Sequence, residues 1–253
     1  MGTAAMLVID RRSWGSGPGS HGGYLSARTL AAMRRSLDAG TRPVRALTTH
    51  FLSPVDDRPF TLAATVERAG RGSAVVTLRG EQGGRTALLA SAAFDGGAPS
   101  RPGPAHQRAP APDAPPPDAC RPLVFPRQLA VFAGQFEFRP TTGARPLGGG
   151  PTAELVAWTR FTDRRPLDAE AVTVLTDALP PALYARWTTP RPMPTAELTV
   201  HFAAALDRAP ATGWSLIRMR AVHADDGWAL DDSAVWDELG RPLAVARQSR
   251  RIL

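Results

Sequence analysis

The residues His21, Gly22 and Gly23 place an imidazole and two glycines at the start of a predicted helix that runs over 23–33. The first N–H groups of a helix have no partner within the helix, and the helix dipole concentrates positive charge there. Such a helix start can polarise a carbonyl oxygen that becomes negative during a reaction, and glycine lets a substrate approach the backbone closely. We therefore predict that these three residues bind substrate and form an oxyanion site.

Other sequence patterns that signal catalysis or cofactor binding are weak or absent. Residues 17–22 (GPGSHG) fit G-x-G-x-x-G, but no βαβ unit surrounds them, so a dinucleotide site is not expected. No serine lies in a G-x-S-x-G elbow. The five histidines lack metal-ligand spacing, so we predict no metal and no cofactor. The single cysteine, Cys120, lies in a proline-rich stretch and is not predicted to be a nucleophile.

Two short segments of nearly the same sequence occur in the two halves of the chain. Residues 47–51 (LTTHF) return 151 positions later as 198–202 (LTVHF), and residues 84–90 (GRTALLA) return 156 positions later as 240–246 (GRPLAVA). This spacing is too long for a solenoid repeat and suits a duplicated domain with a small insertion in the second copy. The repeat therefore predicts two copies of one folding unit.

Each copy is predicted to be an α+β unit with one helix followed by antiparallel strands. Apolar and polar residues alternate along 197–202, which is the period of a strand with one buried face. Further strand-like runs, separated by glycine-rich turns, occupy 61–68, 73–80 and 87–94. In the second copy a helix is predicted over 168–179, because Asp168 can cap its start and two prolines follow its end.

A stretch rich in proline, glycine, alanine and aspartate separates the two copies. It divides the chain into an N-terminal unit over 1–95, a linker over 96–121 and a C-terminal unit over 122–253. Its composition predicts that the linker is extended and mobile.

The composition also limits the kinds of partner that the protein is expected to bind. Its 253 residues, 43% of them hydrophobic, can bury two modest cores. The formal charge is +7, yet all 30 basic residues are arginines that are scattered along the chain, so binding to nucleic acid is not expected. No apolar run is long enough for a membrane helix and the start does not resemble a signal peptide, so we predict a cytoplasmic protein without a membrane partner.

Several segments resemble the acyl-CoA thioesterase II family and its thioesterase-like relatives. They are Trp14, 21–23 (HGG), 43–55 (PVRALTTHFLSPV), 66–73 (VERAGRGS), 135–140 (QFEFRP) and 158–161 (WTRF). The resemblance implies a double hotdog, in which two tandem hotdog units each wrap a curved antiparallel sheet around a long helix and the two sheets join edge to edge. It also implies a role in lipid metabolism with acyl-CoA as the substrate, so that coenzyme A is part of the substrate and not a cofactor.

The resemblance further implies a catalytic set in the second unit. The family uses an aspartate, a threonine and a glutamine that hold and activate a water, and by local motif these fall on Asp177, Thr195 and Gln248. The residues that follow Thr195 depart from the family pattern, so Thr199 stays open as an alternative to it. The C-terminal unit is therefore expected to carry the catalytic residues.

These residue types suit the hydrolysis of a thioester, which needs a water, a base for its proton and donors for the oxyanion. A helix C-terminus and burial would both raise the pKa of Asp177, which favours a general base near neutral pH. Thr195 and Gln248 each offer a donor and an acceptor and would orient the water. The repeat offsets map them onto Val44 and Ala92, which lack such groups, so one active site is predicted.

Two other functions stay open at this stage. A double-hotdog dehydratase acting on a 3-hydroxyacyl thioester would use a His/Asp pair such as His21 with Asp177, although the surrounding residues do not match dehydratase motifs. A degenerate hotdog would bind acyl chains or a partner protein without turnover. Coenzyme A and acyl-carrier protein both fit as the thiol carrier, and open sheet edges favour assembly into a homo-oligomer.

Overall fold

The computed structural model of the protein describes residues 3–37, 42–96, 107, 109–126, 130–207 and 211–253. Within these residues the strands are β1 (Thr3–Val8), β2 (Gly15–Ser16), β3 (Gly19–Ser20), β4 (Val44–Phe51), β5 (Pro59–Ala69), β6 (Ser73–Gln82), β7 (Arg85–Asp95), β8 (Phe136–Pro140), β9 (Glu154–Phe161), β10 (Thr195–Phe202), β11 (Ser215–Asp225), β12 (Trp228–Asp237) and β13 (Pro242–Arg251). The α-helices are α1 (Arg11–Trp14), α2 (Gly22–Ser36) and α3 (Ala169–Leu175), and 3-10 helices span Pro117–Ala119, Val131–Gln135, Ala182–Ala185 and Ala204–Asp207.

Eleven of the described strands form one antiparallel sheet in the order β1-β5-β6-β7-β4-β10-β13-β12-β11-β9-β8, and β2 pairs with β3 separately. The strands predicted in the first half are confirmed as β5, β6 and β7. The repeated strands, β4 and β10, pair with each other at the centre of the sheet. The two halves of the chain therefore share one continuous sheet.

A local two-fold axis passes through this central pair. Thr48 pairs with Thr199, its own counterpart in the repeat, and their Oγ1 atoms lie 2.8 Å apart. Outward from the axis, β4, β7, β6, β5 and β1 on one side match β10, β13, β12, β11 and β9 on the other. The strand pairing therefore assigns each inner strand of one half a counterpart in the other.

The helices α2 and α3, one in each half, differ in length. α2 has 15 residues and buries, among others, Leu25, Leu30 and Met33. Asp168 caps α3 as predicted, but α3 has only seven residues and ends at Leu175, so the long helix predicted over 168–179 is wrong. The reason is local, since the N–H groups of residues 177 and 178 donate to carbonyls three residues back and tighten the chain out of the α-helix. No helix among the described residues is long and apolar enough to cross a membrane.

One main apolar core lies between the helices and the sheet, and both halves contribute to it. Its fully buried members include Leu30 of α2, Leu47 of β4, Phe60 of β5, Val172 of α3 and Leu198 of β10. Because β4 and β10 pair in the middle, the two helices lie on the same side of the sheet and contact each other. The start of α2 thereby meets the end of α3.

The described part of the predicted linker packs against the other face of the sheet. Residues 109–121, called the strap here, accept hydrogen bonds from two indoles: Trp236 Nε1 donates to the Ala109 carbonyl at 3.0 Å and Trp158 Nε1 to the Pro115 carbonyl at 2.8 Å. Cys120 of the strap forms a second apolar cluster with sheet residues and the residue before β11, namely Val156, Trp158, Trp214, Leu216, Ala234 and Trp236. The prediction that the linker is mobile is wrong for this stretch, which packs on tryptophans of the sheet that the sequence analysis did not connect with it. Residues 97–106 and 108 of the predicted linker lie outside the described residues.

Candidate active site

Asp177 lies just after α3 and against the first turn of α2. Its Oδ2 accepts a hydrogen bond from the Gly23 N–H at 2.9 Å and lies 3.3 Å from His21 Nε2. Its Oδ1 accepts a hydrogen bond from Arg250 Nη2 at 3.0 Å. The carboxylate is 7% exposed. The structure thus brings together Asp177 and the helix start at 21–23, two features that the sequence analysis placed in different halves.

His21 is the N-cap of α2, and its hydrogen bonds fix the position of its proton. The Tyr24 N–H donates to Nδ1 at 3.1 Å, so in the neutral ring Nδ1 is the acceptor and the proton is on Nε2. Nε2 then donates to the Asp177 main-chain carbonyl at 2.9 Å. Burial lowers the pKa of His21 below its ordinary value and outweighs the attraction of Asp177. We therefore treat His21 as neutral at pH 7.

The two glycines let α2 come close to Asp177. A Cβ on Gly23 would lie 2.9 Å from the Asp177 Cβ and 3.1 Å from the Val174 carbonyl oxygen. A Cβ on Gly22 would lie 3.1 Å from Asp177 Oδ2 and 3.4 Å from the ring of Phe51. The first-turn N–H groups are partly used, because those of Gly23 and Tyr24 have acceptors. Among the described residues the Gly22 N–H has none, so it is the first-turn donor left for an oxyanion.

Thr195 and Gln248 lie on neighbouring strands and contact each other. The Thr195 hydroxyl donates to Gln248 Oε1 at 3.2 Å, and Gln248 Nε2 donates to the carbonyl of Thr176 at 3.3 Å. Gln248 is fully buried. The predicted residues therefore form one cluster, although the contact of Gln248 is with the main chain next to Asp177.

A β-bulge decides which threonine faces this cluster. The pairing register of β10 shifts between Thr195 and Glu197, so Thr195 pairs with Arg250 on the inner face that also carries Leu198. In an unbroken strand, residues three apart would face opposite sides of the sheet. Thr199 lies on the other face, where its hydroxyl contacts Thr48. The geometry thus favours Thr195 over Thr199.

Two residues of the cluster were not found by the sequence analysis. Arg250 of β13 donates from Nη1 to Thr195 Oγ1 at 2.8 Å and from Nε to Asp231 Oδ2 at 2.9 Å, in addition to its bond to Asp177. Asp231 of β12 is fully buried, and its Oδ1 has no hydrogen-bond partner among the described residues. A sequence signal existed, since Arg250 alternates in phase with Gln248 along a strand and so shares its face.

The ionisation of Asp177 differs from the expectation. Burial alone would raise the pKa of its carboxyl, but the attraction of His21 and Arg250 and the hydrogen bond from Gly23 together hold that pKa below its usual value. The prediction of a raised pKa was wrong because it considered burial and the helix end without the charges of His21 and Arg250 and the hydrogen bond from Gly23. Burial does raise the pKa of Asp231, although Arg250 opposes it. Asp177 is thus a carboxylate at neutral pH, with a permanently charged guanidinium beside it.

The described positions of the first half that correspond to this cluster carry apolar side chains. Strand register pairs Gln248 with Leu198 and Ala92 with Leu47, which are counterparts in the repeat, and so confirms that Ala92 corresponds to Gln248. The same register relates the polar set Thr195, Asp231, Ser233, Gln248 and Arg250 to the apolar set Val44, Val76, Leu78, Ala92 and Phe94. All five apolar counterparts are buried. The fold itself therefore does not require the polar residues.

The described residues contain no group of three or more His, Cys, Asp or Glu that could hold a metal ion. What the cluster offers instead is an ionised carboxylate, a helix-start N–H and a set of fixed donors. A carboxylate accepts roughly four hydrogen bonds, and three positions on Asp177 face Arg250, Gly23 and His21, so about one remains for a water.

Comparison with known proteins relates both halves of the chain to one family. A model of the acyl-CoA thioesterase N-terminal domain matches residues 10–95, and a model of the acyl-CoA thioesterase C-terminal domain matches residues 107–252. The uncharacterized protein Rv0499 of Mycobacterium tuberculosis is 30% identical over 263 residues, which cover 93% of this chain and 86% of that protein. The second match includes the strap as well as β8 to β13.

Solved structures with the same fold include a hotdog-fold protein of unknown function from Alicyclobacillus acidocaldarius. It superposes with a TM-score of 0.90 at 26% identity, covering 99% of this chain and 93% of that one. The acyl-CoA thioesterase II TesB2 of Mycobacterium marinum superposes with a TM-score of 0.75 at 20% identity, covering 99% and 93%. At 20% identity this second likeness concerns the fold alone.

Proposed function

Because the chain belongs to the acyl-CoA thioesterase family, we propose that it hydrolyses an acyl-CoA to a free carboxylic acid and coenzyme A. In this proposal the two halves are the two units of a double hotdog joined through β4 and β10, and the thioester binds between the start of α2 and the end of α3. We also propose that the protein is cytoplasmic and assembles into a homo-oligomer.

The observation that carries the proposal is the contrast between the two halves at corresponding positions. Burying polar and charged groups is unfavourable unless they are paired, and an apolar set serves the fold equally well in the first half. Among the described residues, only the second half has a buried carboxylate with threonine, glutamine and arginine around it. Such a cluster is typical of a site that is retained for chemistry.

The proposed reaction uses Asp177 as the base. A water held by the Asp177 carboxylate attacks the thioester carbonyl carbon and gives its proton to that carboxylate. The Gly22 N–H stabilises the oxyanion that forms on the carbonyl oxygen. When the tetrahedral intermediate collapses, the C–S bond breaks and the thiolate of coenzyme A takes the proton back from Asp177.

Thr195 and Gln248 act on the geometry of this step. Thr195 is partly exposed and hydrogen-bonded to Gln248, so its hydroxyl is the group of the pair that can reach a water. Gln248 is fully buried and ties Thr195 to the main chain beside Asp177. Gly23 holds the carboxylate against the helix start, and His21 holds the main-chain carbonyl of Asp177 there.

The experiment that tests the proposal measures free-thiol release from short, medium, long, branched and aromatic acyl-CoAs by the native protein and by Asp177→Asn. We expect turnover of one substrate class by the native protein and a loss of at least about a hundredfold in the variant, because the base is removed. Native-like circular dichroism of Asp177→Asn is the control for folding. Turnover unaffected by the substitution would refute the role of Asp177, and no turnover of any acyl-CoA would refute the proposed activity.

A dehydratase remains the second candidate, because the structure does bring His21 to 3.3 Å from the Asp177 carboxylate. Its weakness is that both ring nitrogens of His21 already have partners and the residue is 2% exposed. This activity would be identified by hydration of an enoyl-CoA, which is monitored through the loss of its ultraviolet absorbance. A third candidate, an inactive acyl-binding protein, would bind acyl-CoA without releasing thiol and would tolerate Asp177→Asn.

A further inference from the structure

Arg250 links two polar side chains of the sheet, Thr195 and Asp231, to Asp177. Its three nitrogens donate to three different acceptors: Nη2 to Asp177, Nη1 to Thr195 and Nε to Asp231, at 2.8 to 3.0 Å. The guanidinium is 6% exposed. It is therefore shielded from solvent, and its contacts within the site are with side chains rather than with bulk water.

We propose that Arg250, anchored from behind by Asp231, is a positioning residue that keeps the Asp177 carboxylate ionised and turned toward the substrate. This inference rests on the proposed function, which makes Asp177 the base. It assigns Arg250 no contact with substrate, because the guanidinium lies behind the carboxylate and is buried.

Packing alone does not explain an arginine at this position. Its counterpart in the first half is Phe94, which is 1% exposed, so an aromatic side chain fills the corresponding space there. A buried ion pair gains little net stability over apolar residues of similar volume. The bond from Nε to Asp231 leaves the two terminal nitrogens free to face Asp177 and Thr195, which fixes the plane of the guanidinium.

The titratable and charged groups around Asp177 come from four elements. His21 precedes α2, Arg250 lies on β13, Asp231 faces Arg250 from β12, and Tyr184 of the 3-10 helix Ala182–Ala185 lies within reach of the charge of Arg250. His21 is neutral at pH 7, so Arg250 is the positive charge beside the carboxylate there. At acidic pH, where Asp177 titrates, the attraction of a protonated His21 favours the carboxylate as well. Burial raises the pKa of Asp231, and Arg250 opposes that rise.

The first test is the titration of Asp177 itself. The carboxyl carbons of 13C-labelled aspartates are followed by NMR against pH in the native protein, Arg250→Gln and the matched control Arg251→Gln. Asp177→Asn identifies the resonance. Arg251 is the next residue on β13, is exposed and lies over the ring of Trp228. We expect Arg250→Gln to raise the pKa of Asp177 by about one to three pH units and Arg251→Gln to leave it unchanged.

The second test is kinetic. The acidic limb of the pH dependence of kcat/KM should move upward by the same amount in Arg250→Gln. Arg250→Lys keeps the charge but has one nitrogen in place of three, so we expect its acidic limb to stay in place while kcat falls about tenfold. This variant also decides the matter if Arg250→Gln does not fold.

The inference is overturned if the pKa of Asp177 is the same in folded Arg250→Gln as in the native protein, or if Arg251→Gln shifts it equally. Native kcat in Arg250→Lys would overturn the orienting role. The titration needs no substrate, so absence of acyl-CoA turnover by the native protein would refute the proposed function while the NMR result still decides whether Arg250 controls Asp177.

Discussion

Adding one methyl group to Gly22 is expected to damage catalysis without unfolding the protein. The new Cβ would lie 3.1 Å from Asp177 Oδ2 and 3.4 Å from the Phe51 ring, so the carboxylate oxygen must move by a few tenths of an ångström. That oxygen accepts the 2.9 Å hydrogen bond from Gly23, and its displacement weakens the bond. A misplacement of about 1 Å can cost a hundredfold in rate, so we expect Gly22→Ala to lower kcat about ten- to a hundredfold.

The same methyl group on Gly23 meets harder obstacles. Its Cβ would lie 2.9 Å from the Asp177 Cβ, 3.0 Å from His21 Cε1 and 3.1 Å from the Val174 carbonyl oxygen, which is backbone. Overpacking of this kind costs about 1–3 kcal/mol, while alanine in place of glycine returns roughly 0.5–1 kcal/mol in a helix. Gly23→Ala should therefore lose up to about 2 kcal/mol of unfolding free energy, whereas Gly22→Ala should stay within about 1 kcal/mol of the native protein.

Thiol-release kinetics and urea denaturation of the two variants separate these effects. Gly134→Ala is the matched control, because a Cβ there meets no atom within 4 Å and neither kinetics nor stability should change. A native kcat in Gly22→Ala would refute the placement of the reaction at the start of α2. Equal losses of stability in Gly22→Ala and Gly23→Ala would show that the two positions do not differ in the way the distances require.

Two more substitutions test the site. Burial lowers the pKa of His21, so below pH about 6.5 the unfolded chain takes up a proton that the folded protein resists. The contribution of His21 to the free energy of unfolding is therefore fully present above that pH and falls by about 1.4 kcal/mol per pH unit below it. His21→Asn keeps a cap acceptor but does not titrate, so its urea midpoint should fall less than the native one between pH 7 and 5; equal falls would contradict the shift. Thr195→Val should lower kcat about a hundredfold while Thr199→Val, on the other face of the sheet, stays near native, and thiol-release assays giving the reverse order would make Thr199 the active threonine.

The large elements of the fold could be predicted from local pattern and repetition. The hairpin strands follow from the alternation of apolar and polar residues and from glycine-rich turns. The pairing of β4 with β10 joins the two copies of the repeated segment. The end of α3 could not be predicted in this way. It depends on a tightening of the chain that places Asp177 against α2, which is a tertiary contact between halves.

The sequence predicted the residues of the site better than it predicted their electrostatics. Asp177, Thr195 and Gln248 were named and lie in one cluster, but strict alternation would have placed Thr195 on the wrong face, and a single sequence does not mark the bulge that corrects this. The pKa of Asp177 depends on Arg250, 73 positions away in sequence. The strap was missed because proline-rich composition predicts extension and does not reveal which tryptophans it covers.

The local two-fold axis between Thr48 and Thr199 bears on how one half of the chain can hold buried charges that the other half lacks. In a symmetric dimer of identical chains, every substitution appears on both sides of the axis. A cluster of buried charges would therefore destabilise the core at two places. Joining the two copies in one chain lets the sides diverge. One side can carry buried carboxylates and a guanidinium, while Val44, Val76 and Phe94 give the other side an apolar core. Fusion thus allows the second half to carry buried charges while the first half keeps an apolar core against the sheet that both halves share.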